Sequence, residues 1–238
     1  MKNEIKLLKK LVDTSDNIVF FGGAGVSTES GIPDFRSSDG LYNQEFRYPP
    51  EVMLSRSFFI QYPMEFYRFY KKKIINENVS PNPAHVALAK LEKSKKLKAI
   101  ITQNIDGLHQ SAGSKNVLEL HGSIYRNYCM DCKRHYNIKI IKDNDIPRCE
   151  CGGIIRPDIV LYEESLNNDL LMEATRYLAQ ADVLIIGGTS LSVYPAAGLI
   201  FHYEGDKLVM INKSNTSFDN RVNLLIKENI GKVMSFVT

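Results

Sequence analysis

One stretch of the sequence, KAIITQNIDGLH at residues 98–109, joins an apolar run to a dense group of hydrogen-bonding side chains. The run at residues 99–101 is typical of a buried strand. The polar side chains that follow it are Thr102, Gln103, Asn104, Asp106 and His109. Amide and carboxylate groups placed together at a strand end can orient a polar substrate by hydrogen bonds. The stretch is therefore a candidate binding site.

The four cysteines form a second group that can do chemistry. They are spaced as C-x-x-C, sixteen intervening residues and C-x-C, at Cys129, Cys132, Cys149 and Cys151. Two close pairs at this separation are typical of a tetrahedral zinc ion held by four thiolates. Because four thiolates fill the coordination shell, we expect the metal to be structural rather than catalytic. Disulfides are the alternative, which a cytoplasmic location would disfavour.

Two glycine-rich turns follow predicted strands and suggest a ligand that carries phosphate. GGAG at 22–25 follows the apolar run at 18–21, and GGTS at 187–190 follows the run at 183–186. Glycines at such a turn allow the main chain to approach a pyrophosphate, although a simple tight turn is the alternative. Thr28 replaces the third glycine of the dinucleotide fingerprint, and the acidic residue expected after a second strand is absent. An ordinary nicotinamide dehydrogenase is therefore disfavoured.

The elements that must position these groups alternate between strands and helices. Apolar runs of strand length recur at residues 18–21, 99–101, 117–120, 183–186, 208–211 and 224–226. Helical patterns include residues 83–93, with Asn82 as N-cap and Pro83 at the first position, and residues 173–180. This alternation predicts an α/β fold with a doubly wound parallel sheet. Such sheets bind ligands at the carboxyl ends of their strands, where QNIDGLH lies.

Two segments interrupt the alternation of strands and helices. Residues 36–80 are rich in aromatic side chains, and residues 125–157 contain all four cysteines. Both are predicted to form a smaller module outside the sheet. The zinc ion would hold that module together in place of a large hydrophobic core.

The composition is that of a globular protein and disfavours membrane-spanning, secreted and nucleic-acid-binding proteins. At 238 residues the chain is long enough for one large domain, or for one domain with a smaller insertion. No run approaches the roughly 18 apolar residues of a membrane span. The charged N-terminus predicts an amphipathic surface helix instead of a signal peptide, so we expect a cytoplasmic protein. A net charge of +3 is too small to argue for nucleic-acid binding.

Taken in order, these motifs resemble those of the sirtuin family, and of its bacterial members in particular, which are NAD-dependent protein-lysine deacylases. The matching elements are GAGVSTESGIPDFR, QNIDGLH, LHG at 120–122, the two cysteine pairs, GTSLSVYP and IN at 211–212. They extend from Gly22 to about Ile230, which is nearly the whole chain. Jointly they are very specific.

The resemblance implies two domains and a reaction. A Rossmann-like NAD-binding domain would comprise residues 1–35, 81–124 and 158–238, and a small domain of zinc ribbon plus helical insertion would comprise residues 36–80 and 125–157. NAD and the acyl-lysine peptide would enter the cleft between them. In such enzymes the acyl oxygen attacks C1′ of the nicotinamide ribose as nicotinamide leaves. A histidine then deprotonates a ribose hydroxyl, which attacks the acyl carbon to give free lysine and 2′-O-acyl-ADP-ribose.

The resemblance assigns catalysis to His121 as general base, together with Asn104 and Asp106. An imidazole titrates near neutrality and can accept a proton at the working pH. Asp106 would accept a hydrogen bond from the nicotinamide amide, and Ile105 would form an apolar wall beside the ring. His109 is expected to be structural.

The remaining NAD contacts implied by the resemblance extend across both halves of the dinucleotide. Their positions are Ala24, Gly25, Thr28, Phe35, Arg36, Gln103, Thr189, Ser190, Asn212, Asn229 and Ile230. Ser27 and Ser30, in the same loop, are interpreted as turn residues.

Two segments would pair with the main chain of the substrate peptide, as an added strand does. Their contact residues are Val160, Leu161, Tyr162, Ser192 and Val193. Glu163 stands where the family usually has glycine. Its negative charge predicts a preference for peptides with basic residues near the acyl-lysine.

The helical insertion predicts the acyl preference. Sirtuins that remove succinyl groups carry Tyr-x-x-Arg there, whereas this chain has Tyr67 and, at the arginine position, Tyr70. We therefore predict deacetylation, with longer neutral acyl groups as an alternative. Mono-ADP-ribosyl transfer and a silent NAD-binding sensor are further alternatives, and the intact Asn104, Asp106 and His121 argue against the sensor. The resemblance to bacterial sirtuins implies a monomer, and no long apolar seam in the sequence contradicts that.

Overall fold

The computed structural model describes residues 2–34, 48–76 and 78–238. Phe35 and Arg36, which the resemblance assigns to the NAD site, lie outside these residues. None of the described helices is long and apolar enough to cross a membrane.

The strands form two separate sheets. They are β1 (Ile18–Gly22), β2 (Leu97–Thr102), β3 (Val117–Glu119), β4 (Gly122–Cys129), β5 (His135–Tyr136), β6 (Ile155–Ile159), β7 (Val183–Gly187), β8 (Leu208–Ile211) and β9 (Leu224–Ile226). Six of them form a parallel sheet in the order β3-β2-β1-β7-β8-β9, and β5-β4-β6 form an antiparallel sheet. The predicted doubly wound parallel sheet is confirmed.

Helices surround the parallel sheet and build the insertion. They are α1 (Lys2–Asp13), α2 (Pro50–Met53), α3 (Arg56–Gln61), α4 (Pro63–Phe69), α5 (Pro83–Lys93), α6 (Leu108–Ser111), α7 (Lys139–Lys142), α8 (Asn168–Gln180) and α9 (Ile230–Ser235). A π-helical turn, Tyr70–Ile74, continues α4, and a 3₁₀ segment, Ala196–His202, follows β7.

The central strands are buried on both faces. Every residue of β1 (IVFFG) and β7 (VLIIG) is buried. Helices α1, α5 and α9 pack on one face of the sheet, whereas α8 and Ala196–His202 pack on the other. A continuous apolar run is what a strand needs when helices cover both sides of it.

Most element predictions agree with the structure, and the differences occur at the ends of elements. Helix α5 has the predicted bounds, and the side chain of Asn82 caps it by accepting from the amide of Ala84 (2.9 Å). The helix predicted from residue 173 begins earlier because Asn167 caps it, accepting from the amide of Leu170 (3.0 Å). The strand predicted to end at residue 120 ends one residue earlier.

The order of the strands creates a crevice between β1 and β7. From β1 the chain moves outward to β2 and β3, and it later returns to β7 on the opposite side of β1. Ligands of open α/β sheets bind where the strand order reverses in this way, outside the carboxyl ends of the strands. Both glycine-rich turns lie at this point.

The aromatic segment and the cysteine segment share one hydrophobic cluster around the antiparallel sheet. The insertion contributes Phe58, Phe59, Phe66, Tyr67, Phe69 and Tyr70. The antiparallel sheet contributes Ile124, Cys129 and Ile155, and the loop before β6 contributes Cys149. The aromatic richness of the insertion is therefore explained by core packing.

Candidate functional site

The two glycine turns touch each other at the carboxyl ends of β1 and β7. The amide of Gly25 donates a hydrogen bond to the carbonyl oxygen of Gly188 (2.8 Å), and the amide of Gly23 donates to that of Gly187 (3.2 Å). A Cβ atom at Gly25 would lie 2.8 Å from Gly188 Cα, and one at Gly188, where φ is +57°, would lie 2.3 Å from the Val26 nitrogen. Contact between the turns thus requires glycine even before a ligand is considered.

Ser27 lies just beyond the first turn and is the centre of a buried polar network. It is 1 % exposed. Its hydroxyl donates to Oδ2 of Asp106 (2.6 Å) and accepts from Nδ2 of Asn104 (3.0 Å). The second oxygen of Asp106 accepts from the amide of Leu108 (2.9 Å). These bonds fix the orientation of the carboxylate and the amide before any ligand binds, which is how a site reduces the entropic cost of positioning.

Gln103 connects this network to the second glycine turn. Its Nε2 donates to Oγ1 of Thr189 (3.1 Å), and the same oxygen accepts from the amide of Leu191 (3.2 Å). Thr189 is buried, and Ser190 beside it is exposed. The fold therefore brings together polar side chains from the ends of β1, β2 and β7.

His121 follows β3, and the main chain beyond β2 orients its ring. Nδ1 lies 2.9 Å from the carbonyl oxygen of Gln103. Because a carbonyl oxygen can only accept, Nδ1 carries the proton and Nε2 keeps its lone pair. Burial lowers the pKa of His121 below its ordinary value of 6.5, while the bond to Gln103 raises it by less. The imidazole is therefore neutral at pH 7 and suited to accept a proton.

The main chain joins His121 to the segment predicted to bind peptide. The amide of Val160 donates to the carbonyl oxygen of His121 (3.0 Å). Gly122 permits this close approach, because at its φ of +81° a Cβ atom would lie 2.0 Å from the carbonyl oxygen of Asp158. The predicted base, His121, and the predicted peptide contact, Val160, are therefore joined by a main-chain hydrogen bond.

The other predicted peptide contacts differ in exposure. Leu161 is buried, whereas Tyr162 is 38 % exposed. Ser192 is exposed and Val193 is half-buried. Oγ of Ser192 lies 2.7 Å from Oγ of Ser190, so a predicted peptide contact touches a predicted NAD contact.

The residues predicted to hold the adenosine half lie beyond β8 and β9. Asn212 follows β8, and its Nδ2 donates to the carbonyl oxygen of Ser214 (3.0 Å). Asn229 is the N-cap residue of α9. The side chain of Ile230 is 4 % exposed and packs over Gly187, where a Cβ atom would lie 2.3 Å from its Cδ1. The side chain of Ile230 is therefore part of the hydrophobic core.

The first glycine-rich loop is held by two hydrogen bonds, one within the loop and one to α9. Ala24 and Gly25 are half-buried, and the hydroxyl of Thr28 donates to the carbonyl oxygen of Gly25 (3.0 Å). The carboxylate of Glu29 accepts from the amide of Gly231 (2.7 Å). This bond joins the loop to the start of α9, where the adenosine contacts are predicted.

The sequence did not distinguish Ser27 from Ser30, and both were interpreted as turn residues. Ser30 does hold the loop, since its hydroxyl accepts from Nδ2 of Asn82 (3.0 Å). Ser27 instead reaches the polar groups of Asn104 and Asp106, which are 77 and 79 residues away. No local pattern carries that information, so only the fold reveals its role.

Two buried histidines lie behind the QNIDGLH loop. The His109 ring contacts His85 (4.7 Å between ring centroids) and Phe20 (6.1 Å). Burial lowers the pKa of His109 to about 3 and that of His85 to about 4, so both are neutral. The burial of His109 supports the structural role predicted for it, and His85 packs against it, whereas His135 and His202 are exposed.

The four cysteine thiols converge on one point. All four Sγ atoms lie within 4.8 Å of one another, and the pairs Cys129–Cys151 and Cys132–Cys149 are each 3.5 Å apart. Sulfurs about 2.3 Å from a zinc ion lie about 3.8 Å apart in a tetrahedron. Sulfurs in a disulfide are bonded at about 2.05 Å. The cysteines are therefore positioned to hold a zinc ion.

The surroundings of the thiols also fit a closed metal site. A Cβ atom at Gly153 would lie 2.7 Å from Sγ of Cys129, so only glycine leaves room there. The hydroxyl of Tyr136 donates to Sγ of Cys149 (3.0 Å), which is an outer contact of the kind that orients a metal ligand.

Comparison with known proteins gives one consistent result. Residues 23–195 match the model of the Sir2 family. The "NAD-dependent protein deacetylase" of Clostridium acetobutylicum is 56% identical over 99% of this chain and 98% of its own length. A solved structure described as "Sir2-p53 peptide-NAD+" is 41% identical, with a TM-score of 0.85, over 97% of this chain and 95% of that one. Another, which contains an inhibitor, 2′-O-acetyl-ADP-ribose and deacetylated p53 peptide, is 40% identical, with a TM-score of 0.85, over 96% and 95%.

Replacement of Ser27 by alanine tests the buried network. We expect Ser27→Ala to lower the free energy of unfolding by about 1–3 kcal/mol, because Asp106 and Asn104 each lose a buried partner. Urea denaturation would measure the change. The control is Ser94→Ala, which removes the hydroxyl of an exposed residue that donates to the carbonyl oxygen of Leu91 (3.0 Å), and the cost should stay below about 0.5 kcal/mol. Equal costs for the two variants would contradict the network.

Metal analysis tests the cysteine cluster. We expect about one zinc ion per wild-type chain, and much less in Cys149→Ser because one of four thiolates is lost. His135→Ala is the matched control, since it removes the nearby imidazole but no thiolate. Elemental analysis and thermal unfolding would be measured together. A Cys149→Ser protein that keeps its zinc and its midpoint temperature would contradict the assignment.

Proposed function

The chain belongs to the Sir2 family, and we propose that the polar cluster at the ends of β1, β2 and β7 is its site for NAD and acyl-lysine. The protein is an NAD-dependent protein deacetylase, which transfers the acetyl group of lysine to ADP-ribose and releases nicotinamide. The observation that carries the assignment of the site is the bond from Nδ1 of His121 to the carbonyl oxygen of Gln103, which leaves Nε2 available as a base.

His121 acts on the ribose of NAD. Once the acetyl oxygen has attacked C1′ and nicotinamide has left, Nε2 of His121 removes the proton from a ribose hydroxyl. That hydroxyl attacks the acyl carbon, a water molecule is consumed, and free lysine and 2′-O-acetyl-ADP-ribose are formed. The bond to Gln103 keeps the ring in one orientation throughout, as positioned acid–base catalysis requires.

Asn104 and Asp106 orient the nicotinamide ribose and the nicotinamide amide for cleavage. Their bonds to Ser27 support this role, because both polar groups are already fixed when the dinucleotide arrives. Ile105, between them, packs at the edge of the aromatic cluster and forms an apolar wall for the ring. The loop therefore contributes mainly by positioning.

The remaining contacts hold the rest of NAD and the peptide. For NAD we propose Ala24, Gly25, Thr28, Gln103, Thr189, Ser190, Asn212, Asn229 and Ile230, with Phe35 and Arg36 outside the described residues. For the peptide we propose Val160, Leu161, Tyr162, Ser192 and Val193. The bond from Val160 to His121 supports the peptide assignment, because it brings an acyl-lysine held by this segment close to the base.

Two domains would enclose the substrates. We assign residues 1–35, 81–124 and 158–238 to the NAD-binding domain, and residues 36–80 and 125–157 to the small domain. The zinc ion would have no role in the reaction, because four thiolates leave no open position on it. We further propose that the protein acts in the cytoplasm as a monomer, on acetylated proteins and without nucleic acid.

Other reactions start from the same cleavage of NAD. Mono-ADP-ribosyl transfer needs no base at the acyl adduct, so the neutral, oriented His121 favours deacylation. A silent NAD-binding sensor would not need the Ser27 network to fix Asn104 and Asp106. Removal of longer neutral acyl groups uses the same machinery and remains the second candidate.

Mass spectrometry of an acetyl-lysine peptide would test the reaction and the base together. We expect loss of the acetyl group only with NAD, formation of O-acetyl-ADP-ribose, and a rate at least about 100-fold lower in His121→Ala. His202→Ala, which removes an exposed imidazole, is the control. NAD consumption without deacetylation would instead indicate ADP-ribosyl transfer, and no NAD consumption would indicate the sensor.

The pH profile gives a second test of His121. A general base acts in its neutral form, so the rate should fall as pH drops through its pKa. Because burial lowers that pKa below 6.5, we expect the rate to stay level at pH 7 and to decline only below pH 6.5. A decline that begins well above pH 7 would exclude His121 as the base.

The helical insertion should favour acetyl over succinyl groups. Tyr67 and Tyr70 are fully buried, and the hydroxyl of Tyr67 donates to the carbonyl oxygen of Ile155 (2.7 Å). Burial raises the pKa of both hydroxyls, so neither carries a charge. Arg68 is exposed. We expect kcat/KM for an acetyl-peptide to exceed that for the succinyl-peptide by at least about tenfold, because neither tyrosine offers a positive charge to an acyl carboxylate and the buried Arg156 is already paired with Glu164. Faster turnover of the succinyl-peptide would contradict this.

A further inference from the structure

Glu163 has a backbone conformation that residues with a side chain rarely adopt. Its φ is +74°, in the left-handed region that favours glycine. It belongs to residues 160–164, whose first amide is bonded to the carbonyl oxygen of His121. A strained residue beside a catalytic group persists only where its surroundings hold it.

The carboxylate of Glu163 provides the contacts that hold it. It accepts two hydrogen bonds from Ser57, one from the amide (2.9 Å) and one from the hydroxyl (2.8 Å). Ser57 lies in the first turn of α3, where amides have no partner within the helix. The side chain thus ties the segment to the helical insertion and offsets the strain of its own backbone.

The residues on either side of Glu163 are held by other contacts. Tyr162 forms a parallel bridge with Ser55. Glu164 forms two hydrogen bonds to the guanidinium of Arg156 (2.5 and 2.9 Å). Glu163 lies between these two fixed points, and its carboxylate adds two further bonds to the helical insertion.

The main chain of Glu163 is available to a further strand. Among residues 2–34, 48–76 and 78–238, no main-chain group bonds to its amide or its carbonyl. An open groove of about 610 Å³ borders the segment and is lined by Glu163 and Glu164. Leu161 packs into the aromatic cluster, whereas the exposed Glu163 borders the groove and is held by its hydrogen bonds.

We propose that Glu163 is a positioning residue for the substrate peptide: its bonds to Ser57 hold residues 160–164 in the conformation that offers the main chain of Glu163 to the peptide. The inference rests on the proposed peptide site of the deacetylase. Both carboxylate oxygens are engaged by Ser57, which favours positioning over the direct attraction of basic peptide residues that the charge alone predicts.

Loss of the anchor should weaken peptide binding without slowing the chemistry. If the segment populates other conformations, the apparent affinity falls by the fraction that remains competent. We expect Glu163→Ala to raise the peptide KM about tenfold. Alanine at this position has the same unfavourable positive φ but cannot form the hydrogen bonds to Ser57. The KM for NAD and kcat should change by less than about twofold, because the bound state is the same.

Three further variants distinguish the effect of the positive φ at residue 163 from the effect of its hydrogen bonds to Ser57. Glycine adopts a positive φ without strain, so Glu163→Gly should raise the peptide KM only about threefold. Glu163→Gln keeps an oxygen acceptor and should restore most of the affinity. The double variant Ser57→Ala, Glu163→Ala should be no worse than Glu163→Ala alone, because the two residues act through one contact.

The control is Lys95→Ala, another exposed residue at positive φ (+63°), which lies in the turn after α5. It carries the same kind of strain but should leave peptide affinity unchanged. Peptide affinity would also be measured by calorimetry without turnover. Wild-type protein that binds the peptide but does not deacetylate it would refute the proposed reaction while leaving the role of Glu163 testable by binding.

Three results would overturn the inference. One is a peptide affinity of Glu163→Ala within about twofold of wild type. A second is an equal loss in Lys95→Ala. The third is a loss confined to peptides with arginine beside the acetyl-lysine, which would mean that the charge of Glu163 attracts the peptide directly.

Discussion

Gly25 and Gly188 approach each other so closely that neither position has room for a side chain. Their hydrogen bond joins the two turns across the crevice between β1 and β7 and determines where the chain emerges at Ser27. Ser27 in turn fixes Asn104 and Asp106. The geometry of the proposed nicotinamide site therefore depends on a main-chain contact between two glycine turns.

The chemistry of the groups explains why a serine occupies the centre of that network. A carboxylate can only accept hydrogen bonds, whereas an amide NH₂ can only donate them. A hydroxyl both donates and accepts at one atom, so Ser27 can satisfy Asp106 and Asn104 together. Behind the loop, His85 and His109 are neutral, so neither adds a positive charge that would oppose the cationic nicotinamide ring.

The sequence predicts those parts of the structure that are determined by residues close together in the chain. Helix α5 was predicted with both ends correct because Asn82 and Pro83 mark its start within a few residues. Motif order also identified the family and the cluster of polar residues at the strand ends. The role of Ser27, the burial of the Ile230 side chain and the anchoring of Glu163 by Ser57 were not predicted. Each depends on a partner far away in the sequence, which only the folded chain brings close.

The position of His121 in the topology links the base to the substrate. The chain leaves the parallel sheet after β3, passes through His121 and enters the antiparallel sheet at Gly122; it leaves that sheet at Ile159 and returns through Val160. These two crossings are paired, since Gly122 lies opposite Ile159 and the amide of Val160 bonds to the carbonyl oxygen of His121. The proposed base and the proposed peptide segment are therefore joined where both meet the small sheet. Because the imidazole is also bonded to the carbonyl oxygen of Gln103, His121 is held by the parallel sheet and by the proposed peptide segment at once.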